Sequence, residues 1–152
     1  MKVSDVMTKA VVSDAADDTL ADAASIMRGQ QTGSLLIMDG QNLLGIFTER
    51  DLLKAIAAGQ DPSQAHLKDF MSTEIISVTP DTTLREAAGI MAAKWIRHLP
   101  VVDGDKVVGL ISQRDLTGVL AKVLNEPEQS AVPEEDLVRA KRLRRIEVGD
   151  LD

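Results

Sequence analysis

The chain carries the stretch Gly45-Ile46-Phe47-Thr48-Glu49-Arg50-Asp51, which returns as Gly109-Leu110-Ile111-Ser112-Gln113-Arg114-Asp115. In both copies an apolar run leads into a hydroxyl residue, and a carboxylate follows three residues later. When the sequence is aligned to itself on this pair, the match extends without a gap over residues 5–52 on residues 69–116. Two copies of one unit predict a tandem repeat with pseudo-two-fold symmetry.

Each copy predicts the same order of elements: strand, helix, strand, strand, helix. The first strands are β-rich pieces at Val11–Ser13 and Ile75–Val78. Helices are indicated by apolar residues recurring at i, i+3, i+4 and i+7, which are Leu20, Ala23, Ala24, Met27 and Leu84, Ala87, Ala88, Met91.

Asp-Gly pairs then predict a hairpin in each copy, at Asp39-Gly40 and at Asp103-Gly104. A second helix is expected directly after each hairpin. It begins at Glu49 and ends near Gly59 in the first copy, and it runs from Gln113 to Leu124 in the second.

The predicted fold is therefore α+β: two pseudo-two-fold-related β-α-β-β-α repeats plus a C-terminal helix. We assign residues 1–60 to the first repeat, 61–124 to the second, and 125–152 to a polar connector and a charged helix over Pro133–Ile146. Acidic residues begin this helix and basic residues end it, as the helix dipole favours. The helix is either self-stabilised in solvent or a contact site for an acidic partner or a second subunit.

Composition excludes several classes of function. The 152 residues carry a net charge of −7, no cysteine and 2% aromatic residues. Thiol nucleophiles, disulfides and thiolate zinc sites are excluded, and nucleic-acid binding is disfavoured because it depends on clustered positive charge. Without a basic, then apolar, N-terminus or a membrane-length apolar run, we expect a cytoplasmic protein that does not bind membranes.

The repeated stretch has two interpretations. A hydroxyl followed three residues later by a carboxylate is the spacing of a helix capping box, and the same spacing occurs at Thr19–Asp22 and Thr83–Glu86, where we assign capping alone. At the second helices, the carboxylate is also suited to accept hydrogen bonds from a ribose diol, and helix N–H groups with a neighbouring arginine are suited to phosphate. Spacing alone does not choose between these roles.

The two Gly-to-Asp stretches, with Leu99–Asp103, Thr79–Leu84 and the Asp-Val/Phe-Met openings, resemble the CBS-domain family in its tandem form, the Bateman module. The resemblance covers Met1 to about Leu124. It implies a regulatory module whose repeats pack sheet to sheet and leave two clefts for adenosine-type ligands such as AMP, ADP, ATP or S-adenosylmethionine. Leu36 departs from the pattern, because the second copy has Pro100 at that position.

The resemblance also implies that each cleft combines the motif of one repeat with the first strand and hairpin entry of the other. One cleft would use Thr48, Arg50 and Asp51 with Ile76, Arg97, His98 and Pro100. The other would use Ser112, Arg114 and Asp115 with Val12, Gly33, Ser34 and Leu36.

These clefts differ in charge. Lys94, Arg97 and His98 precede the second hairpin, whereas Gln30, Gly33 and Ser34 stand at the matching positions in the first copy. Because phosphate needs cations or N–H donors, we expect the Asp51 cleft to prefer phosphorylated nucleotides and the Asp115 cleft to hold a less charged adenosine compound or none. If phosphates point toward the shared axis, Arg97 reaches either cleft.

No motif of an NTP-binding loop, dinucleotide site, zinc protease or serine hydrolase is present. We therefore expect a non-enzymatic adenine-nucleotide sensor, in which a ligand shifts the protein's shape and an unknown regulated protein reads the change. Two alternatives stay open: a ligand-independent interaction module with unused clefts, and a nucleic-acid binder using Arg139–Arg145. No metal site is expected. Trp95 is assigned to a core or subunit interface, with stacking on a base as the lesser alternative. The family resemblance implies a homodimer.

Overall fold

The computed structural model describes residues 1–124, which form one compact unit over Met1–Thr117 and the start of a second unit from Gly118 onward. The predicted connector and the helix over Pro133–Ile146 lie outside the described residues. The strands are β1 (Ser13–Asp14), β2 (Ser34–Asp39), β3 (Asn42–Thr48), β4 (His98–Asp103) and β5 (Lys106–Ser112). The helices are α1 (Leu20–Gln30), α2 (Glu49–Ala57), α3 (Leu84–Lys94) and α4 (Gln113–Leu124), with short 3-10 turns at Val3–Asp5 and Leu67–Asp69.

The predicted α+β fold of two repeats is confirmed. In the first copy, β1 pairs parallel to β2, and β2 pairs antiparallel to β3. In the second, β4 and β5 form a matching antiparallel pair. Both hairpins turn at the predicted glycines, since Gly40 and Gly104 each adopt φ of +59°.

The first strand of each copy is shorter than predicted, and the two copies differ there. The first copy forms β1 at Ser13–Asp14 rather than at residues 11–13, whereas the second forms only a bridge between Val78 and Val101. The Leu36 N–H donates to the Val12 carbonyl at 3.1 Å. Pro100 has no N–H for the equivalent bond, so the second copy loses one bond of the ladder.

All four helices begin where a hydroxyl residue was predicted to precede them. At α1, the Asp22 N–H donates to Thr19 Oγ1 at 3.2 Å, and at α3 the Glu86 N–H donates to Thr83 Oγ1, also at 3.2 Å. The capping assigned to these two helices is therefore confirmed.

Among the described residues, none of the helices combines the length and hydrophobicity needed to cross a bilayer.

Each copy is completed by a segment that precedes the other copy's strands. Leu67 is fully buried in the core formed by α1 and β2, and its N–H donates to the Asp18 carbonyl at 2.9 Å. Val3, at the matching position, is fully buried and donates to the Thr82 carbonyl at 2.8 Å. The two repeats are thus tied together by reciprocal backbone hydrogen bonds.

Contacts between the repeats explain the glycines that open the repeated stretch. The segment that precedes one repeat's strands, here called the exchanged segment, packs against the glycine of the other repeat. A Cβ on Gly45 would lie 2.8 Å from the Ser72 carbonyl oxygen and from Met71 Sδ. A Cβ on Gly109 would lie 2.9 Å from the Thr8 carbonyl oxygen and 2.7 Å from Met7 Sδ. Both positions exclude any side chain because the exchanged segment passes directly over the strand.

Candidate functional site

A pocket of about 1080 Å³ lies within residues 1–117. Its wall includes all seven residues assigned from the sequence to the Asp115 cleft: Val12, Gly33, Ser34, Leu36, Ser112, Arg114 and Asp115. The first strand and hairpin entry of one copy therefore face the second-helix start of the other.

Asp115 sits at the start of α4 and has one oxygen already engaged. Its Oδ2 accepts from the Ser112 N–H at 2.7 Å and from Ser112 Oγ at 2.8 Å. The capping interpretation is thus correct for this residue. Among residues 1–124, however, Oδ1 accepts no hydrogen bond, so capping leaves this oxygen able to accept from a ligand hydroxyl.

Ser34 supplies a second unpartnered polar atom. Its side chain is 2% exposed, and its Oγ makes no hydrogen bond within the described part of the chain. A buried hydroxyl without a partner is costly, and this one belongs to the pocket wall. A ligand that donates to or accepts from Ser34 Oγ would remove that cost.

Basic groups gather on this same pocket. Arg28, Arg97 and Arg114 all line it, together with His98. Burial, followed by the charge of Arg97, lowers the pKa of His98 below its ordinary value of 6.5, although Glu49 and Asp115 oppose the shift. The imidazole is therefore neutral at pH 7, and the positive charge of the wall comes from the arginines.

The residues assigned to the Asp51 cleft are placed differently. Arg97 and His98 line the pocket that contains Asp115, whereas the remaining five do not line it: Thr48, Arg50, Asp51, Ile76 and Pro100. The preference expected for the Asp51 cleft depended on Arg97 and His98 facing Asp51. Arg97, which was expected to reach either cleft, lines the pocket that contains Asp115.

Asp51 repeats the capping geometry of Asp115. Its Oδ2 accepts from the Thr48 N–H at 2.9 Å and from Thr48 Oγ1 at 3.1 Å. The neighbouring Arg50 uses Nη1 to donate to the Trp95 carbonyl at 2.9 Å. Trp95 ends α3 in the left-handed conformation with φ of +57° and is half-buried, so Arg50 braces that helix end.

Sequence reasoning missed two charged residues of the pocket, Arg28 and Glu49. The signal for both was a difference between the copies, since Arg28 matches Ala92 and Glu49 matches Gln113. A charge present in only one copy of a repeat is not needed for the shared fold.

Within residues 1–124, no three His, Cys, Asp or Glu side chains cluster in a way that would hold a metal ion.

Comparison with known proteins identifies the same two repeats. The family model described as CBS domain matches twice, over residues 3–58 and 67–122. The CBS domain-containing protein YhcV of Bacillus subtilis is 34% identical over 131 residues, which are 86% of this chain and 91% of that protein.

Solved structures agree with these matches. The CBS-domain protein ATU1752 of Agrobacterium tumefaciens is similar, with a TM-score of 0.76 and 28% identity over 79% of this chain and 99% of its own. The CBS domain pair of MJ0100, in complex with 5'-methylthioadenosine and S-adenosylmethionine, has a TM-score of 0.74 and 25% identity over 81% of this chain and 98% of its own.

Proposed function

The chain belongs to the CBS-domain family as a tandem pair of CBS repeats, and from this we propose that it is a sensor of adenine nucleotides that binds its ligand in the Asp115 pocket. The observation that carries the proposal is the pairing in one pocket of an unengaged Asp115 Oδ1 with three arginines. A carboxylate oxygen accepts from a ribose hydroxyl, and arginine pairs with phosphate. These are the two polar ends of a nucleotide.

The ligand class is AMP, ADP, ATP or S-adenosylmethionine, and the arginines favour a phosphorylated member. MJ0100 supports the adenosine part, because that CBS pair is solved with two adenosine compounds. The phosphate preference rests on this chain's own Arg28, Arg97 and Arg114. It replaces the expectation that the phosphorylated ligand binds beside Asp51.

The chain acts by binding, without catalysis, in this proposal. Ligand contacts residues of both repeats, so occupancy stabilises one arrangement of the repeats over others, and a regulated partner protein in the cytoplasm binds one arrangement more tightly. A homodimer is part of the proposal. Helix α2 exposes Leu53 and Ile56, which are 68% and 48% exposed and lie three residues apart on one face.

The test is calorimetric titration of nucleotide-stripped protein with AMP, ATP and S-adenosylmethionine, using the matched variants Asp115→Asn and Asp51→Asn. Both variants change the same capping geometry, so any loss of stability is shared. We expect Asp115→Asn to weaken AMP binding by about tenfold or more, since a hydrogen bond to a charged group contributes about 1.5–3 kcal/mol. Asp51→Asn is expected to bind like the unmodified protein.

Absence of binding heat with all three compounds would contradict the sensor function. Equal losses in the two variants would contradict the choice of pocket. The second candidate function, a ligand-independent interaction module, is favoured by the exposed apolar residues on α2. It predicts that neither Asp variant changes partner binding, whereas Leu53→Glu abolishes it.

A further inference from the structure

The Asp115 pocket contains a carboxylate that the fold does not require. Glu49 is the first residue of α2, and its N–H donates to the Gly33 carbonyl at 3.1 Å. Gln113 occupies the matching position, and its N–H donates to the Arg97 carbonyl at 2.8 Å. The backbone contact is therefore the same in both copies, and only the side-chain charge differs.

The Glu49 carboxylate is held over the pocket wall. A Cβ on Gly33 would lie 3.2 Å from Glu49 Cδ and Oε2 and 3.4 Å from His98 Cε1. The carboxylate, the imidazole and the bare backbone of Gly33 thus meet at one point. A side chain at position 33 would crowd Glu49 and His98 at this point.

Glu49 is paired with one of the pocket's arginines. Arg97 Nη2 lies 3.4 Å from Glu49 Oε2, and the two side chains are 47% and 60% exposed. Half-exposed ion pairs at this distance are weak, at about 0.2–1 kcal/mol. A ligand phosphate that reaches Arg97 would therefore compete with the Glu49 carboxylate, which is readily displaced.

We propose that Glu49 is a specificity-determining residue that competes with ligand phosphate for Arg97 and thereby limits the pocket's preference for phosphorylated over uncharged adenosine compounds. The inference rests on the proposed function, because it concerns the ligand of that same pocket. An uncharged ligand leaves the Arg97–Glu49 pair intact. A phosphorylated ligand must separate the pair or bind beside a second negative charge.

The test compares Glu49→Gln with the unmodified protein in calorimetric titrations with AMP and with adenosine. Glutamine is the residue found at the matching position 113, so the helix start is expected to tolerate it. Glu74→Gln is the control, because Glu74 is exposed, does not line the pocket and gives the same change in net charge. Thermal unfolding of each variant verifies the fold.

We expect Glu49→Gln to tighten AMP binding about threefold, which corresponds to the loss of a half-exposed competing pair, and to leave adenosine binding unchanged. The gain shrinks in high salt, which screens exposed charges. In an Arg97→Gln background AMP binds more weakly, and Glu49→Gln no longer tightens it, because there is no arginine left to release.

The outcomes separate the two proposals. If the unmodified protein binds neither AMP nor adenosine, the proposed function fails and this inference fails with it. If it binds AMP and Glu49→Gln has the same affinity as Glu74→Gln, the function stands and the role of Glu49 is wrong. If Glu49→Gln tightens AMP equally with and without Arg97, simple repulsion replaces competition and the inference is overturned.

Discussion

The two copies of the Gly-to-Asp stretch start their helices in the same way but use their arginines differently. Arg50 donates to the Trp95 carbonyl and braces the end of α3. Arg114, at the matching position, lines the pocket that contains Asp115. The same residue in the same motif thus supports the fold in one copy and is available to a ligand in the other.

This difference shows that the motif determines the local geometry of a helix start but does not by itself determine whether a ligand binds there. Both Asp residues complete a capping box, and both stretches start with a glycine under an exchanged segment. The features that separate the copies are single substitutions around this shared frame, such as Glu49 against Gln113 and Gly33 against Arg97. Four predictions test which features are shared and which are not.

The largest effect is expected where the copies are alike. Gly45→Ala and Gly109→Ala each force a methyl group to within 2.9 Å of a carbonyl oxygen, so we expect each to lower the free energy of unfolding by about 2 kcal/mol or more. Denaturant unfolding measures the loss. Gly89→Ala is the control, because its Cβ meets nothing within 4 Å in α3, and alanine there is expected to stabilise by up to ~1 kcal/mol. If Gly45→Ala and Gly109→Ala are no less stable than Gly89→Ala, the close approach of the carbonyl oxygens to these glycines would be contradicted.

The second prediction tests the two arginines directly. Arg114→Gln is expected to weaken AMP binding about tenfold, because a charged contact to phosphate is lost. Arg50→Gln is expected to leave AMP affinity within about twofold and to lower the free energy of unfolding by about 0.5–1 kcal/mol, the usual value of one hydrogen bond. Calorimetry and denaturant unfolding measure the two quantities. A reversed pattern would show that the pocket beside Asp51 takes the nucleotide.

The third prediction concerns Asp14, which occupies a position filled by the buried Val78 in the second copy. Burial, a hydrogen bond that the protonated carboxyl donates to Asp18, and the negative charges of Asp18 and Asp22 raise the pKa of Asp14 from 3.8 to about 6. Because the folded state holds this proton more tightly than the unfolded state, the stabilisation is present below pH 3.8 and is lost as the pH rises through about 6.

Asp14→Asn removes this titration. We expect the variant to be more stable than the unmodified protein at pH 7.5 by about 1 kcal/mol, a value reduced to allow for solvent screening, and equal to it at pH 4. Thermal unfolding across that pH range measures the difference. Asp105→Asn controls for net charge, because Asp105 is exposed and its side chain has no hydrogen bond or ion pair within residues 1–124; an equal gain there would remove Asp14 as the cause.

The smallest effect on stability is expected at Ser34, which matches His98 in the second copy. Ser34→Ala removes a buried hydroxyl that has no partner in residues 1–124, so the free energy of unfolding is expected to change by less than ~1 kcal/mol. AMP affinity is expected to fall about threefold if the ligand satisfies that hydroxyl. Unchanged affinity, measured by calorimetry, would exclude Ser34 from ligand contact.

The sequence by itself determined the repeat, both hairpin turns, the helix starts and the order of elements, except that the second copy's first strand is only a bridge. These features follow from local chemistry: Asp-Gly adopts the turn conformation, and a hydroxyl with a carboxylate three residues later satisfies the N–H groups of a helix start. It also grouped the seven residues assigned to the Asp115 cleft, all of which line one pocket, because the family resemblance supplied the pairing between repeats.

Only the tertiary structure decided where the charged side chains lie. The position of a long arginine side chain depends on partners distant in sequence, and here Arg97 pairs with Glu49 and lines the Asp115 pocket. Tertiary packing also explains Gly45 and Gly109, whose neighbours come from the other copy's leading segment. The spacing of residues along the chain indicates which of them share one face of a helix or strand. The distances between side chains on different elements depend on how the whole chain packs.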